Sequence, residues 1–392
     1  MQIKISKNIL MECVSIASEM SSKEPGTASH EVKVMASEDT VYIASLNLIG
    51  SQFFIGKIEG EGCEITEGGR VCIPGKPFRE ALSLLSGDEI TLTSDGFATQ
   101  ISGGGKEELV LCGMDPKEWI EPPNMSAKTS FNIPISTIRE MHSLMSFNCS
   151  KDQTKAPMTA ILMEVFEDGS VQCTATDQQR ISFYSCPAGT ATDIEMGKFE
   201  GVIKIAFPAD AAGLASGKMF SHIENVMSIS VDSSKILMKT PTSRFCCSQE
   251  TGAEKYPRMR DLLCDKKAFT FSVSRAELLR VSKLVNVVAN KSVCKIDFDV
   301  DEGVVVMSGK GKINKSNRSK QSIEIKNFSG DQIEDREILV SSEDLSEAIS
   351  VIKNEDVMIG LTITNNETIG PIMTIKQEDR WKHLIFPARE VE

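Results

Sequence analysis

The sequence predicts an α+β chain in which one unit, a strand leading into an amphipathic helix, recurs along its length. Three observations carry the prediction. Gln2 to Met20, Phe131 to Met145 and Phe271 to Val288 read almost alike. A second strand, helix, strand landmark lies near the middle of each third. The landmarks keep the same order, and the copies start roughly 130 to 140 residues apart, a common domain size. Matched landmarks in matched order predict a threefold internal repeat.

Each copy of the first landmark opens on alternate apolar residues: Ile3 and Ile5, then Phe131, Ile133 and Ile135, then Phe269, Phe271 and Val273. A period of two marks a half-buried strand. Ser6, Ser136 and Ser274 follow, and a serine oxygen can accept a free N–H of a helix's first turn. The apolar spacing then lengthens to three and four: Leu10, Cys13, Val14 and Ala17; Ile138, Met141, Leu144 and Met145; Leu278, Val281, Leu284, Val285 and Val288. That spacing predicts an amphipathic helix lying on a sheet. The second landmark begins at Val71, Val202 and Glu337 and closes on the strands from Asp88, Met227 and Asp356.

Between these landmarks, Ser21 to Thr27 reads as a turn-rich loop, followed by strands at Val32–Met35, Val41–Ala44 and Gln52–Ile58. The run Gly103, Gly104, Gly105, Lys106 invites a phosphate-loop reading. Glu107 and Glu108 follow it instead of a Ser or Thr entering a helix, so a hairpin turn is expected. Pro122 and Pro123 are linker chemistry. Thr176, Asp177 and Arg180 sit between two strands and predict a hydroxyl-braced, salt-bridged turn, with no nucleophile–base pair nearby to suggest catalysis. Cys246 and Cys247 are adjacent in a strand and point to opposite faces.

The 392 residues carry 43 basic and 55 acidic side chains, a formal net charge of −12. That sign argues against a nucleic-acid partner unless the cations gather on one face. The 11 cysteines show no C-x-x-C spacing and no His cluster, so zinc is not expected. Free thiols in a reducing cytoplasm are the natural reading. The first strand begins at Gln2, which leaves no room for a signal peptide, and no apolar run reaches the length of a membrane span.

Three stretches carry a family resemblance: Thr174-Ala-Thr-Asp-Gln-Gln-Arg-Ile, Lys255-Tyr-Pro-Arg-Met-Arg-Asp-Leu-Leu, and the tail Leu384-Ile-Phe-Pro-Ala-Arg. They resemble, in order, the Ala-Thr-Asp turn, the Phe-Pro-Asp-Tyr-Arg element and the Met-Pro-Met/Val-Arg ending of the bacterial β sliding clamp, the β subunit of DNA polymerase III. The resemblance spans the chain and is that of a divergent member, of phage or plasmid type. It implies three clamp domains, at 1–125, 126–265 and 266–392, each with two helices on antiparallel sheets. It further implies a homodimeric ring around double-stranded DNA, non-catalytic and cofactor-free. The ring would tether the replicative DNA polymerase, the clamp loader and other clamp-motif proteins.

Carried over by match, the partner-peptide pocket would be lined by Met158, Thr176, Gln178, Gln179, Arg180 and Ile181. Pro257, Leu262, Leu384, Phe386, Pro387 and Arg389 would complete it. Without the family, Met158, Ile181, Leu262 and Leu384 read as plain core. Gln178 and Gln179 replace the usual Gly-His or Gly-Tyr, Asp261 stands where a base is common, and Glu390-Val-Glu extends the tail. These departures suggest a more basic peptide. DNA contacts are expected from Arg139 and His142 on the second-copy helix and from Arg280, Lys283 and Lys291 on the third. Lys310 and Lys312, in the basic stretch 308–320, extend the set. The dimer interface would set Leu109 and Leu111 against Val287 and Val288. The competing readings are a specialised clamp paralogue, a protein-binding repeat scaffold, and an enzyme on nucleotides or DNA.

Overall fold

In the computed structural model the alternating residues become strands and the lengthened spacing becomes helices. The structure describes residues 1–21, 27–48, 51–60, 62–122, 125, 127–211, 213, 225–249, 253–257, 269–289, 293–299, 301–311, 316–330, 337–362 and 371–388. The first third runs β1 (Gln2–Ser6), α1 (Lys7–Met20), β2 (Glu31–Ser37), β3 (Thr40–Asn47), β4 (Gln52–Glu59), β5 (Cys63–Glu67), β6 (Gly69–Pro74), α2 (Gly75–Leu84), β7 (Glu89–Ser94), β8 (Ala98–Ser102) and β9 (Glu108–Cys112). Next come β10 (Thr129–Pro134), α3 (Ile135–Met145), β11 (Ala160–Phe166), β12 (Val171–Thr176), β13 (Arg180–Cys186), β14 (Thr192–Glu195), β15 (Val202–Pro208), β16 (Val226–Val231), β17 (Lys235–Lys239) and β18 (Ser243–Ser248). The last are β19 (Phe269–Ser274), α4 (Arg275–Ala289), β20 (Val293–Asp299), β21 (Val304–Lys310), β22 (Arg318–Glu324), β23 (Lys326–Gly330), β24 (Glu337–Ser341), α5 (Ser342–Val351), β25 (Asp356–Thr362), β26 (Ile372–Gln377) and β27 (Trp381–Ile385).

The chain divides into two units. The first comprises Met1–Arg139, Gly189–Ile203 and Asp210–Glu250; the second, Glu140–Ala188, Lys204–Ala209 and Thr251–Glu392. Unit one holds a five-stranded sheet, β5-β1-β7-β8-β9, and a nine-stranded sheet, β14-β10-β16-β17-β18-β4-β3-β2-β6. Unit two holds a nine-stranded sheet, β15-β11-β12-β13-β27-β26-β25-β19-β23, and a four-stranded sheet, β22-β21-β20-β24. The pairings are antiparallel, as in β1 with β7, β18 with β4, β13 with β27 and β21 with β22.

In unit one α1 buries Leu10, Val14 and Ala17 and lies against β3 and β4. In unit two α4 buries Leu278, Val281, Val285 and Ala289 and lies against β21 and β22. Phe269 and Phe298 meet edge to face at 5.2 Å beneath it, a favoured aromatic geometry. Leu284, expected on the buried face, is 42% exposed. Leu284 lies about 300° on from Val281, short of a full turn and off the buried stripe, and Val285 fills that place instead. Ser136 is also displaced from its expected role, since α3 already starts at Ile135 and Ser136 falls inside the first turn. Ser6 stands at the N-cap of α1 without a side-chain cap bond. Ser341 does cap α5: its side chain accepts the Asp344 N–H at 3.2 Å.

The glycine run is a hairpin turn, as its flanks predict: β8 and β9 pair from Ala98↔Cys112 to Ser102↔Glu108. Its glycines serve close backbone approach. The Gly104 N–H donates to Ser86 O at 2.6 Å, and a Cβ on Gly103 would stand 2.6 Å from that same oxygen. The basic stretch 308–320 is only partly a loop. Lys310 ends β21 and Arg318 begins β22, paired across the hairpin; Lys312 and Lys315 lie outside the described residues. The described cysteines are free thiols, and burial pushes those of Cys13, Cys72, Cys149 and Cys294 up to about 12. Among the described residues no helix is long and apolar enough to cross a membrane.

Candidate peptide pocket and charged faces

The turn joining β12 to β13 is locked by its own side chains. Thr176 Oγ1 donates to Arg180 O at 2.8 Å and accepts the Gln178 N–H at 3.0 Å. Asp177 Oδ1 accepts the N–H groups of Gln179 and Arg180 at 3.0 and 3.1 Å. The geometry sets Gln178 at φ 82, a left-handed conformation in which glycine is free of strain. Gln178 and Gln179 are exposed, with Thr176 buried beneath them.

Arg180 turns inward. Its Nε donates to Asp177 Oδ2 at 2.9 Å and its Nη2 to Phe147 O at 3.0 Å. Its Nη1 lies 3.3 Å from Asp344 and 2.7 Å from Glu347, both on α5. Burial opposes the Arg180 charge, but Asp344, Asp177 and Glu347 together outweigh it and raise its pKa. Asp344 is raised too, because burial exceeds the pull of Arg180 and Asp177 adds repulsion. One guanidinium therefore ties the turn to α5. Sequence reasoning missed Asp344 and Glu347. Their i, i+3 spacing placed both on one helix face, but nothing local pointed to Arg180.

Above this anchor, Ile181 pairs directly with Leu384 across β13 and β27. Ile181, Phe183, Ile372 and Leu384 form a buried cluster against which Phe386 packs. The Phe386 N–H donates to Gln179 O at 3.2 Å, which holds the tail against the turn, and the Ala388 N–H donates to Leu339 O on β24 at 2.7 Å. Ile181, Leu384 and Met158 are buried; Phe386, Pro387 and Pro257 are half-buried. The accessible surface of these residues thus comes from Phe386, Pro387, Pro257 and the two glutamines. Leu262 and Arg389, also expected here, lie outside the described residues, as do Asp261 and Glu390 to Glu392.

On α4, Arg280 and Lys283 are exposed, opposite the buried Leu278 and Val281. Lys310 is exposed at the end of β21. Arg139 and His142 are half-buried on α3, and burial lowers the His142 pKa. Lys291 and Lys312 lie outside the described residues. β9 is an edge strand of its sheet. Its Leu109 and Leu111 are half-buried, and Val110 between them is 60% exposed. Val287 on α4 is 80% exposed, while Val288 beside it is half-buried.

Among the described residues, antiparallel sheets with the strand–helix pairs β1–α1, β6–α2, β10–α3, β19–α4 and β24–α5 define an α+β fold. The chain matches the β subunit from DNA polymerase of Streptococcus pyogenes with a TM-score of 0.84 at 16% identity, covering 99% of this chain and 100% of that one. It matches the DNA polymerase sliding clamp from Bacillus subtilis with a TM-score of 0.83 at 18% identity, covering 99% of each. In sequence it is 23% identical over 404 residues to the beta sliding clamp of Halalkalibacterium halodurans, spanning 99% of this chain and 100% of that protein. No protein-family model matches the chain. The chain has the sliding-clamp fold and resembles the DNA polymerase III beta subunit, from which it diverges widely in sequence.

Proposed function

We propose that this protein is a DNA sliding clamp, a processivity factor without catalytic activity that works in the cytoplasm. Three clamp domains, 1–125, 126–265 and 266–392, make half a ring, and a second copy closes it head to tail around double-stranded DNA. The replicative polymerase, the clamp loader and other clamp-motif proteins dock by a short peptide at Phe386, Pro387, Gln178 and Gln179. Fold alone does not imply function. The observation that carries the reading is end-to-end similarity, in sequence and in fold, to proteins named as sliding clamps, with both chains covered almost completely. A scaffold that shared only a repeat would match in part. The exposed cations of α4 and the free edge of β9 fit the same reading, one facing phosphates and the other a second copy.

The test is topological. Loaded by a clamp loader, the protein is expected to stay on nicked circular DNA through gel filtration and to run off once the circle is cut. Equal loss from circular and linear DNA refutes encirclement.

A further inference from the structure

Unit one carries a groove that neither the peptide pocket nor the DNA-facing helix uses. Its floor is the face of the nine-stranded sheet opposite the buried Phe54. Paired residues cross five strands in one row: Lys33↔Ala44, Ala44↔Ile55, Ile55↔Arg244 and Arg244↔Lys239. A second row, Met35↔Tyr42 and Tyr42↔Lys57, lies beside it. The turn between β17 and β18 closes one side and is pinned to β4, because the Lys57 N–H donates to Thr242 O at 2.7 Å. Pro122 and Glu121 close the other side. The groove has a volume of about 370 Å³. It continues into a second compartment of about 180 Å³ that shares Ile55, Pro122, Lys239 and Arg244 and adds Phe53, Leu237 and Met125.

The charges do not balance. Four cations, Lys33, Lys57, Lys239 and Arg244, line the larger compartment with the single carboxylate of Glu121. Glu121 is spent on Lys33, whose side chain is only 5% exposed and whose Nζ also sits 5.8 Å from the Trp119 ring centre. Lys57 pairs with Glu59. Among the described residues neither Lys239 nor Arg244 has an ion-pair partner. In a chain of net charge −12, such a concentration on one sheet face marks a place for an anion.

We propose that this groove docks an extended acidic peptide from a partner protein, with an apolar residue in the smaller compartment and carboxylates at Lys239 and Arg244. Two compartments in line suit a chain better than a compact anion. The aliphatic floor of Met35, Ala44 and Ile55 gives a side chain something to pack on, as peptide sites require. Duplex DNA fits poorly, because it needs exposed cations following its backbone, whereas Lys33 is buried and Glu121 stands at the rim. The proposal does not depend on the ring or on the Phe386 pocket.

The probe is a fluorescein-labelled peptide carrying Leu-Phe followed by a run of glutamates, titrated by anisotropy against the full chain. The variant Lys239→Glu/Arg244→Glu places like charges opposite the glutamates and is expected to weaken binding by about tenfold or more. Replacing the peptide glutamates by glutamine should weaken it by a similar factor, and added salt should weaken the wild-type complex only. If the double reversal lowers the melting temperature, Lys239→Ala/Arg244→Ala serves instead, with an expected loss of about threefold. Unchanged affinity in a folded variant, or equal binding of the glutamine peptide, overturns the proposal. A short labelled duplex that loses affinity in the same variant while the peptide does not would assign the face to nucleic acid and overturn it as well.

Discussion

His383 lies fully buried on β27, its ring stacked on Trp381 at 5.5 Å and 9° and tilted against Phe147 at 5.4 Å. Nδ1 is 2.9 Å from Ser182 Oγ and 3.4 Å from Asn148 Nδ2. Desolvation, reinforced by the Arg180 charge, lowers its pKa from 6.5 to about 3. Above about pH 6.5 the ring is neutral in the folded and the unfolded chain alike. Below it, the unfolded chain takes up a proton that the buried ring refuses, so stability falls by up to about 1.4 kcal/mol per pH unit until the native ring titrates. His383→Gln should flatten urea-measured stability between pH 6 and pH 4, and a slope equal to that of wild type refutes the assignment. Phe386 packs on the other face of β27, against the buried cluster of Ile181, Phe183, Ile372 and Leu384. Phe386→Ala removes the aromatic wall and should cost roughly 2 kcal/mol or more in peptide binding, as aromatic anchors do, while sedimentation stays that of wild type. Partner peptides that bind the variant at full strength dock elsewhere. The turn residues Thr176 and Asp177 were legible in sequence because their bonds run only to neighbours within four positions. The carboxylates opposite Arg180 were not, since α5 reaches it through tertiary packing.

The same distinction between local and long-range signals governs the elements. Period-two and period-four spacings placed β1–α1, β10–α3 and β19–α4, because burial on one face is written into each segment. Which strands pair was not legible: β18 meets β4 and β13 meets β27, across separations that no turn signal spans. Leu284 shows the limit within a helix, where one residue of spacing decides between core and surface. Edge strands pose the sharper question. β9 offers unpaired backbone and the apolar side chains of Leu109, Val110 and Leu111, a combination that folded proteins cover. The proposed cover is a second copy, with Val287 and Val288 of α4 as its apolar counterpart. Leu109→Asp/Leu111→Asp would bury unpaired carboxylates there, a cost of several kcal/mol, and should yield monomers in equilibrium sedimentation. A dimer that survives both substitutions has its interface somewhere else.

At the scale of the whole molecule, the proposed function asks an acidic protein to hold DNA without being repelled by it. The proposed ring resolves this by topology: encirclement supplies persistence, so individual phosphate interactions need only be weak and free of sequence preference. Arg280 and Lys283 are exposed on one helix of a chain whose net charge is −12, and Lys291 follows them in sequence. If these three face the DNA, replacing them together by alanine leaves the phosphates they neutralise to their counterions. The plot of log affinity against log salt should then flatten by roughly 0.9 for each phosphate no longer neutralised. Affinity should fall by the same factor on unrelated duplexes, because none of the three reads a base edge. Retention on circles should weaken less than equilibrium affinity for short duplexes, because a closed ring stays threaded whether or not its cations hold phosphate. A salt slope identical to that of wild type would place these cations away from the DNA, whatever the ring does.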